Sequence, residues 1–303
     1  MLSPILLTKK RIKGDLMKYL SGEFIYSMDK EHDPVLEVDP EEKVQIETLD
    51  AFGGQITSSD DTLADLDLSR ANPATGPIYI NLAEPGDTLV VKIEEIEVKT
   101  PGVQGIVPGF GFLSDQFDEP VVTLHEIDES VIGFGDSKLP LQPMIGTIGV
   151  APKGDPVPCN TPGRHGGNLD TKDISEGVKL LLPIFHEGAL FSLGDAHALQ
   201  GDGEVCGVSI EVGTSTALEL ELKKRDISTP MIDTEEEFIT LGSAEGFKEA
   251  GRIALEAMIS HIEKETAFSA AEAYKFCSVA CDMKISQVVN PLVTVRVSVE
   301  KDL

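Results

Sequence analysis

The stretch Thr88-Leu89-Val90-Val91-Lys92-Ile93-Glu94-Glu95-Ile96-Glu97-Val98 decides the fold class: Leu89, Val91, Ile93, Ile96 and Val98 recur near every second position with charges between them. Side chains alternate between the two faces of a sheet, so this pattern is that of a half-buried β-strand. The same alternation appears in Lys43 to Glu47 and in Pro77 to Asn81. Further strands are expected over Val121 to Ile127, Met144 to Val150, Val205 to Val212 and Ala217 to Leu222. The short apolar runs Leu180-Leu181-Leu182 and Ala189 to Leu193 fit the same scheme. Turn signals separate them, among them Glu84-Pro85-Gly86-Asp87, whose Pro-Gly pair suits a tight reversal. Thr100 to Leu113 and Ala151 to Asn168, rich in Gly and Pro, are expected as long irregular loops, the kind of segment that often carries function.

The pattern changes after about residue 240. Phe247, Gly251, Ala254, Leu255, Met258 and Ile262 recur at three- and four-residue spacing, with Lys248, Glu249, Arg252, Glu256 and Glu263 on other faces, which predicts an amphipathic helix. Ser269 and Glu272 have the spacing of a capping box before the apolar stripe Ala273, Phe276, Cys277 and Ala280, so a second helix is expected to about Asp282. A strand follows over Val288 to Val299, where Val293, Val295, Val297 and Val299 alternate. No internal repeat is found.

Across 303 residues, 25 Lys and Arg stand against 52 Asp and Glu, a formal charge of −27. Nucleic acid and anionic membranes would meet this chain as a like charge, which excludes them as partners and leaves small or cationic ligands. A hydrophobic share of 41% is that of a globular chain with a real core. The length alone admits one large β-rich domain or two ordinary ones, since a single core stops growing at roughly 250 to 300 residues. No apolar run approaches the roughly 20 residues that span a bilayer, and Leu180 to Phe185 is interrupted by Pro183. Met1 to Leu7 precedes the basic Lys9-Lys10-Arg11, the reverse of a signal peptide's order, so export is not expected. Cys159, Cys206, Cys277 and Cys281 are too few and too scattered for a disulfide framework, which fits a reducing cytoplasm.

Residues of ligating type gather in Arg164-His165-Gly166-Gly167-Asn168-Leu169-Asp170 and in Gly194-Asp195-Ala196-His197-Ala198-Leu199-Gln200-Gly201-Asp202-Gly203-Glu204. In extended chain Asp195 and His197 face one side about 7 Å apart, at a rise of roughly 3.3 Å per residue. Asn168 and Asp170 share that relation, and carboxylate with imidazole suits zinc or a similar divalent cation, given a third ligand from elsewhere. Asp, Asn and Gly are also ordinary turn residues, the commoner reading of such spacing taken alone. Gly201 and Gly203 either turn a hairpin around Asp202 or let backbone N–H groups approach a bound carbonyl oxygen. Glu204 is either a solvated strand end, the commoner case, or a carboxylate aimed inward as a general base. Cys206 invites a nucleophile reading, but no neighbouring His activates it, and a small buried hydrophobe is the favoured reading. His32, His125 and His261 read as surface or packed histidines, and His186 is left open.

The run Gly188-Ala189-Leu190-Phe191-Ser192-Leu193-Gly194-Asp195-Ala196-His197-Ala198-Leu199-Gln200-Gly201-Asp202-Gly203-Glu204-Val205-Cys206-Gly207, preceded by Glu187, resembles the hallmark EGALFSVGDCHAAQGDGEVCG of the acetamidase/formamidase family. His165-Gly166-Gly167-Asn168-Leu169-Asp170 is similar to that family's HGGNMD, Asn72-Pro73-Ala74-Thr75-Gly76-Pro77 to its NPxTGP, and Glu47-Thr48-Leu49-Asp50-Ala51 to its ETxDA. Weaker similarities are Ala83 to Asp87 (AEPGD), Ala273-Tyr274 (AY) and Ser286 to Val289 (SQVVD). The chain departs from the family at Ala196, Leu199 and Asn290, where Cys, Ala and Asp are usual.

The resemblance implies a mainly β fold of sandwich or barrel-like sheets with two C-terminal helices over 243–282. It implies one unit over 1–303, an N-terminal β half over 1–150 and a half over 151–303 that carries the hallmark. It further implies a homo-oligomer, dimer or higher, and hydrolysis of formamide, acetamide or a similar short amide by a water activated on a divalent metal, zinc by expectation. The ligand pool is Asp195, His197, His165 and Asp170, with Asp50 from a neighbouring strand. Glu204 is the expected general base with Asp202 as a second catalytic carboxylate, and Asn168, Gln200, Gly201 and Gly203 are the expected substrate contacts. Two rivals stand beside this: a cysteine amidase using Cys206 with Glu204 as base, and a non-catalytic relative that binds a small amide or carboxylate.

Overall fold

In a computed structural model, which describes residues 10–12, 15–128 and 130–302, Thr88–Val98 is a strand within a ten-stranded sheet. It runs antiparallel to Thr214–Lys223 on one side and Lys179–Pro183 on the other. Leu89, Val91 and Ile93 enter the main core with Leu180, Leu182, Leu218 and Leu220, while Val90 and Leu181 belong to a second core on the opposite face. Period-two geometry thus explains why Leu180-Leu181-Leu182 is apolar throughout: both faces of its strand are covered. The sheet continues through Met231–Asp233, Glu237–Ala244 and Val293–Glu300 to Cys281–Gln287 at one edge, and through Lys43–Glu47 and Asp15–Leu20 to Lys10–Ile12 at the other. The apolar order at Met1 to Leu7 lies outside the described residues.

A nine-stranded sheet packs on the main-core face. Phe191–His197 is its centre, bordered on one side by Met144–Gly149, which pairs in turn with Gly166–Asn168, and on the other by Ala74–Ile80 and Glu211–Val212. Ile78, Ile145, Ile148, Phe191 and Leu193 share one cluster with Leu89 and Leu218, so the two sheets form a sandwich with an aliphatic core. Helices α1 (Phe247–Glu265) and α2 (Ala270–Ala280) cover the outer face of the larger sheet, where Ala254, Ala257, Met258, Ala273 and Cys277 meet Val90, Leu181, Phe238 and Val297. Gly242 lets α1 lie close, since a Cβ there would stand 2.2 Å from the Ala250 carbonyl oxygen. Ser269 and Glu272 form the expected capping box. No helix among the described residues is long and apolar enough to cross a membrane.

The chain is mainly β with two helices near its C-terminus, as its periodicity predicts, and four local expectations are corrected. Only Glu211–Val212 of the run from Val205 is a strand, because left-handed φ at Gly203 (96°), Glu204 (45°) and Gly207 (84°) coils the preceding residues into turns. Helix α2 ends at Ala280, and Cys281 opens a strand that pairs with Val293–Glu300. That last strand begins at Val293 because the Gln287 side chain accepts the Val289 and Asn290 amides and reverses the chain. The expected loops hold strands, Gly102–Ile106 against Val121–His125 and Gly166–Asn168 against Met144–Gly149, whose partners lie too far along the chain for a local reading.

Candidate active site

Strand register gathers the polar residues at the end of the central strand of the smaller sheet. His197 is paired with Glu211 on one neighbour, and Thr147 on the other pairs with both Gly194 and Asn168, which leads two residues on to Asp170. The ladders pass over Asp195, which has no partner residue in either neighbouring strand and adopts φ 50°. Asp170 (φ 40°) and Glu204 (φ 45°) are left-handed as well. Such conformations are costly in non-glycine residues and concentrate where a side chain must be aimed into a site.

The result is one imidazole ringed by four carboxylates. From His197 Nε2, Glu211 Oε2 lies at 3.1 Å, Asp195 Oδ1 at 3.5 Å, Asp170 Oδ1 at 3.9 Å and Glu204 Oε1 at 4.0 Å. All five side chains are buried. Their neighbours fix them: Asn72 Nδ2 donates to Asp195 Oδ2 at 2.9 Å, Asn290 Nδ2 to Asp170 Oδ2 at 2.6 Å, and Ser209 Oγ to Glu204 Oε1 at 2.9 Å. Gln200 Nε2 donates to the Asp170 carbonyl at 2.7 Å, which turns Gln200 Oε1 toward His197 Nδ1 at 2.9 Å. Nδ1 therefore carries the proton, and in the neutral ring the Nε2 lone pair faces the carboxylates. Gly146 leaves room for this, since a Cβ there would lie 2.3 Å from Asp170 Oδ1.

Burial and the crowding of charges shift Asp170, His197, Glu204 and Glu211. Burial, opposed by His197 but aided by Glu211 and Asp195, pushes Glu204 up to about 7. Burial likewise takes Glu211 up to about 8, with Asp195 adding to it and His197 opposing. Asp170 is held well above the usual carboxylate range by burial and by the charges of Glu204 and Asp195. Burial works against the His197 cation, yet Glu211 and Asp195 outweigh it and raise that group well above its ordinary value.

The donor set fits a divalent cation. Asp170, Asp195 and His197 form one group of converging ligand atoms and His197, Glu204 and Glu211 another. Asp170 Oδ1 and Glu211 Oε2 are buried without a hydrogen-bond partner, the latter although 3.1 Å from Nε2. Buried oxygen and imidazole donors that converge on one another, two of the oxygens unpartnered, are what ligands of a shared divalent ion look like.

The other expected site residues lie outside the two ligand groups. His165 is buried with Nε2 unpartnered, is pushed down to about 4 by burial, and belongs to neither ligand group. Asp50 stands outside both groups too, its Oδ1 accepting the Phe52 and Gly54 amides. Asp202 engages Arg296 with both oxygens at 2.9 Å and Lys172 at 3.1 Å; these cations hold it below the usual range although burial opposes them. Gly203 donates its N–H to the Ser286 carbonyl at 2.8 Å, and Gly201 is exposed. Asn168 is buried, its Oδ1 accepting from Thr147 Oγ1 at 2.7 Å. The Cys206 thiol donates to the Val208 carbonyl at 3.0 Å. Sequence reasoning missed Glu211, Asn72 and Ser209, and saw Asn290 only as a departure from the family's pattern. For Glu211 the available signal was a carboxylate within an otherwise apolar run.

Comparison with known proteins shows the family. The model of the Acetamidase/Formamidase family matches residues 28–158 and 156–302. An acetamidase crystal structure from Bacillus halodurans superposes with a TM-score of 0.91 at 40% identity, covering 93% of this chain and 97% of that one. An acetamidase from Yersinia enterocolitica gives 0.88 at 33% identity, covering 92% and 89%. A Schizosaccharomyces pombe protein named as a formamidase is 30% identical over 63% of this chain, and the match spans 62% of that protein's own length. This chain belongs to the acetamidase/formamidase family.

Proposed function

We propose that this protein hydrolyses short aliphatic amides such as formamide and acetamide to a carboxylate and ammonia, with water as the attacking group. The observation that carries the reading is the buried ring of four carboxylates within 4.0 Å of His197 Nε2. Buried charges of one sign raise one another's energy, so the ring calls for a cation. Asp170, Asp195, His197 and Glu211 would hold a divalent ion, zinc by donor type. Such an ion supplies Lewis acidity and brings the pKa of water toward about 7.

The chain's own residues supply the rest. Glu204, raised to about 7, can accept the proton of the attacking water near neutral pH and return it to the amide nitrogen. That return is obligatory, because an amide anion is too basic to leave and ammonia is not. Gln200 is occupied at both ends by His197 and Asp170, so it holds the ligand tautomer and leaves Asn168 to meet the substrate's amide group. Of the two expected oxyanion donors Gly201 is retained, as the Gly203 N–H is already donated. The four cysteines are free thiols, which supports a reducing cytoplasmic setting, and assembly into a homo-oligomer belongs to the same proposal.

The test is elemental analysis of the purified protein with formamide and acetamide hydrolysis followed before chelation, after it, and after zinc is returned. Bound metal with turnover lost and restored in step is expected. Ammonia release by metal-free protein would overturn the metal mechanism.

A further inference from the structure

We infer that Arg296 is a positioning residue of the reaction: through Asp202 it holds the turn that aims Glu204 into the carboxylate ring, so that its loss lowers turnover by way of Glu204. The inference rests on the amidase reading above, in which Glu204 moves the proton. Residues 201–204 lie in the connection between the strands Phe191–His197 and Glu211–Val212, and Glu204 takes a left-handed φ of 45° there. Such a conformation persists only where the surroundings hold it. The Ser209 hydroxyl that meets Glu204 belongs to the same connection, whereas the Asp202 and Gly203 side of the turn is tied to another part of the protein.

That support comes from the last two strands of the larger sheet. The Gly203 N–H donates to the Ser286 carbonyl at 2.8 Å and the Gly203 carbonyl accepts from the Val288 N–H at 3.1 Å, which bridges the turn to the end of the edge strand Cys281–Gln287. Arg296, 2% exposed on the neighbouring strand, grips the same turn by its side chain. Its Nη2 donates to both Asp202 carboxylate oxygens at 2.9 Å, its Nη1 donates to the Ile285 carbonyl at 2.7 Å, and its Nε stands 2.9 Å from Asp173 Oδ2. A planar fork engaged on every edge fixes direction as well as distance, which the point charge of a lysine does not. Asp173 lies three residues beyond Asp170, and Lys172 reaches Asp202 at 3.1 Å. The segments that deliver Asp170 and Glu204 to the ring therefore meet at one buried guanidinium.

The test is kcat, KM and bound metal for formamide hydrolysis in the wild-type protein, in Arg296→Gln, Arg296→Lys and Glu204→Gln, and in Arg296→Gln combined with Glu204→Gln. A turn displaced by about 1 Å costs about 100-fold, so kcat in Arg296→Gln should fall about 100-fold with KM within about threefold and bound metal retained. Arg296→Lys keeps the charge without the fork and should recover only part of that loss. Added to Glu204→Gln, Arg296→Gln should cost about threefold or less, because the group it positions is already gone. A further fall near 100-fold in that double variant would show a general structural role and overturn the inference. Asp202→Asn, on a partly exposed side chain, carries the same test alone and with Glu204→Gln if Arg296→Gln folds poorly. Wild-type kcat in Arg296→Gln or in Glu204→Gln, with formamide hydrolysed, overturns the inference and leaves the amidase reading standing. Absence of wild-type turnover on formamide and acetamide overturns both.

Discussion

Gly146→Ala probes the carboxylate ring with a single methyl group. Gly146 lies outside the left-handed region, so alanine accepts its backbone without strain and only the added carbon matters. That carbon would stand 2.3 Å from Asp170 Oδ1, 2.7 Å from the Asp195 carbonyl oxygen and 3.2 Å from Asp195 Oδ2. An ordinary contact begins near 3.4 Å, so Asp170 must retreat by about 1 Å, and the Asp195 oxygen cannot follow without moving its strand. Overpacking of this kind costs about 1 to 3 kcal/mol. A misplacement of about 1 Å at a catalytic centre costs about 100-fold in rate. We therefore expect kcat/KM for formamide to fall about 100-fold, with metal content reduced, while cooperative unfolding is kept. Gly133→Ala is the control, since a Cβ there meets nothing within 4 Å. Asp170→Asn, nearly isosteric, repeats the test without the added bulk if Gly146→Ala folds poorly. Wild-type metal content and turnover in Gly146→Ala would refute the assignment of this ring as the catalytic centre.

Four further outcomes are expected. Glu204→Gln should lower kcat by about 100-fold or more with bound metal retained, and unchanged ammonia release would remove Glu204 from proton transfer. Cys206→Ala should keep turnover within about threefold, because its thiol donates to the Val208 carbonyl; abolished turnover with metal retained would favour the cysteine mechanism. Phe191→Ala, wholly buried between the sheets, should cost about 3 to 5 kcal/mol in urea unfolding, and a loss below about 1 kcal/mol would contradict its placement in the core. Burial pushes His165 down to about 4, whereas the unfolded chain takes up that proton near 6.5, so its contribution to stability is complete above about 6.5 and lost as pH falls toward about 4. Between pH 7 and pH 5 this amounts to about 2 kcal/mol, read as the stability difference between wild type and His165→Gln; a difference that does not change with pH would show that His165 titrates normally.

Much of the fold is legible in the chain because its signals are local. Alternation in Thr88–Val98 and Lys43–Glu47, helical spacing from Phe247 and the Ser269–Glu272 capping box each depend on residues a few positions apart. The strand Gly102–Ile106 escaped because its Gly and Pro neighbours read as loop and the ladder bonds that stabilise it come from Val121–His125. The false strand from Val205 arose in the opposite way: its apolar residues look alternating, but the left-handed turns that precede and interrupt it leave no partner for a ladder.

The site divides along the same line. Asp195, His197, Gln200 and Glu204 are marked by residue type and by the hallmark run, and Asp170 by the His165 to Asp170 segment, since chemistry that needs carboxylate and imidazole must encode them. Which of the expected residues meet is a matter of register: the ladder from Phe191–His197 to Glu211–Val212 brings Glu211 to His197, while His165 and Asp50 stay outside the ligand groups and Asp202 turns to Arg296. A chain's own spacing fixes direction only within one strand or one turn. Convergence of side chains from different strands depends on how two sheets pair and pack, a long-range balance of ladder bonds and core burial that no short stretch contains.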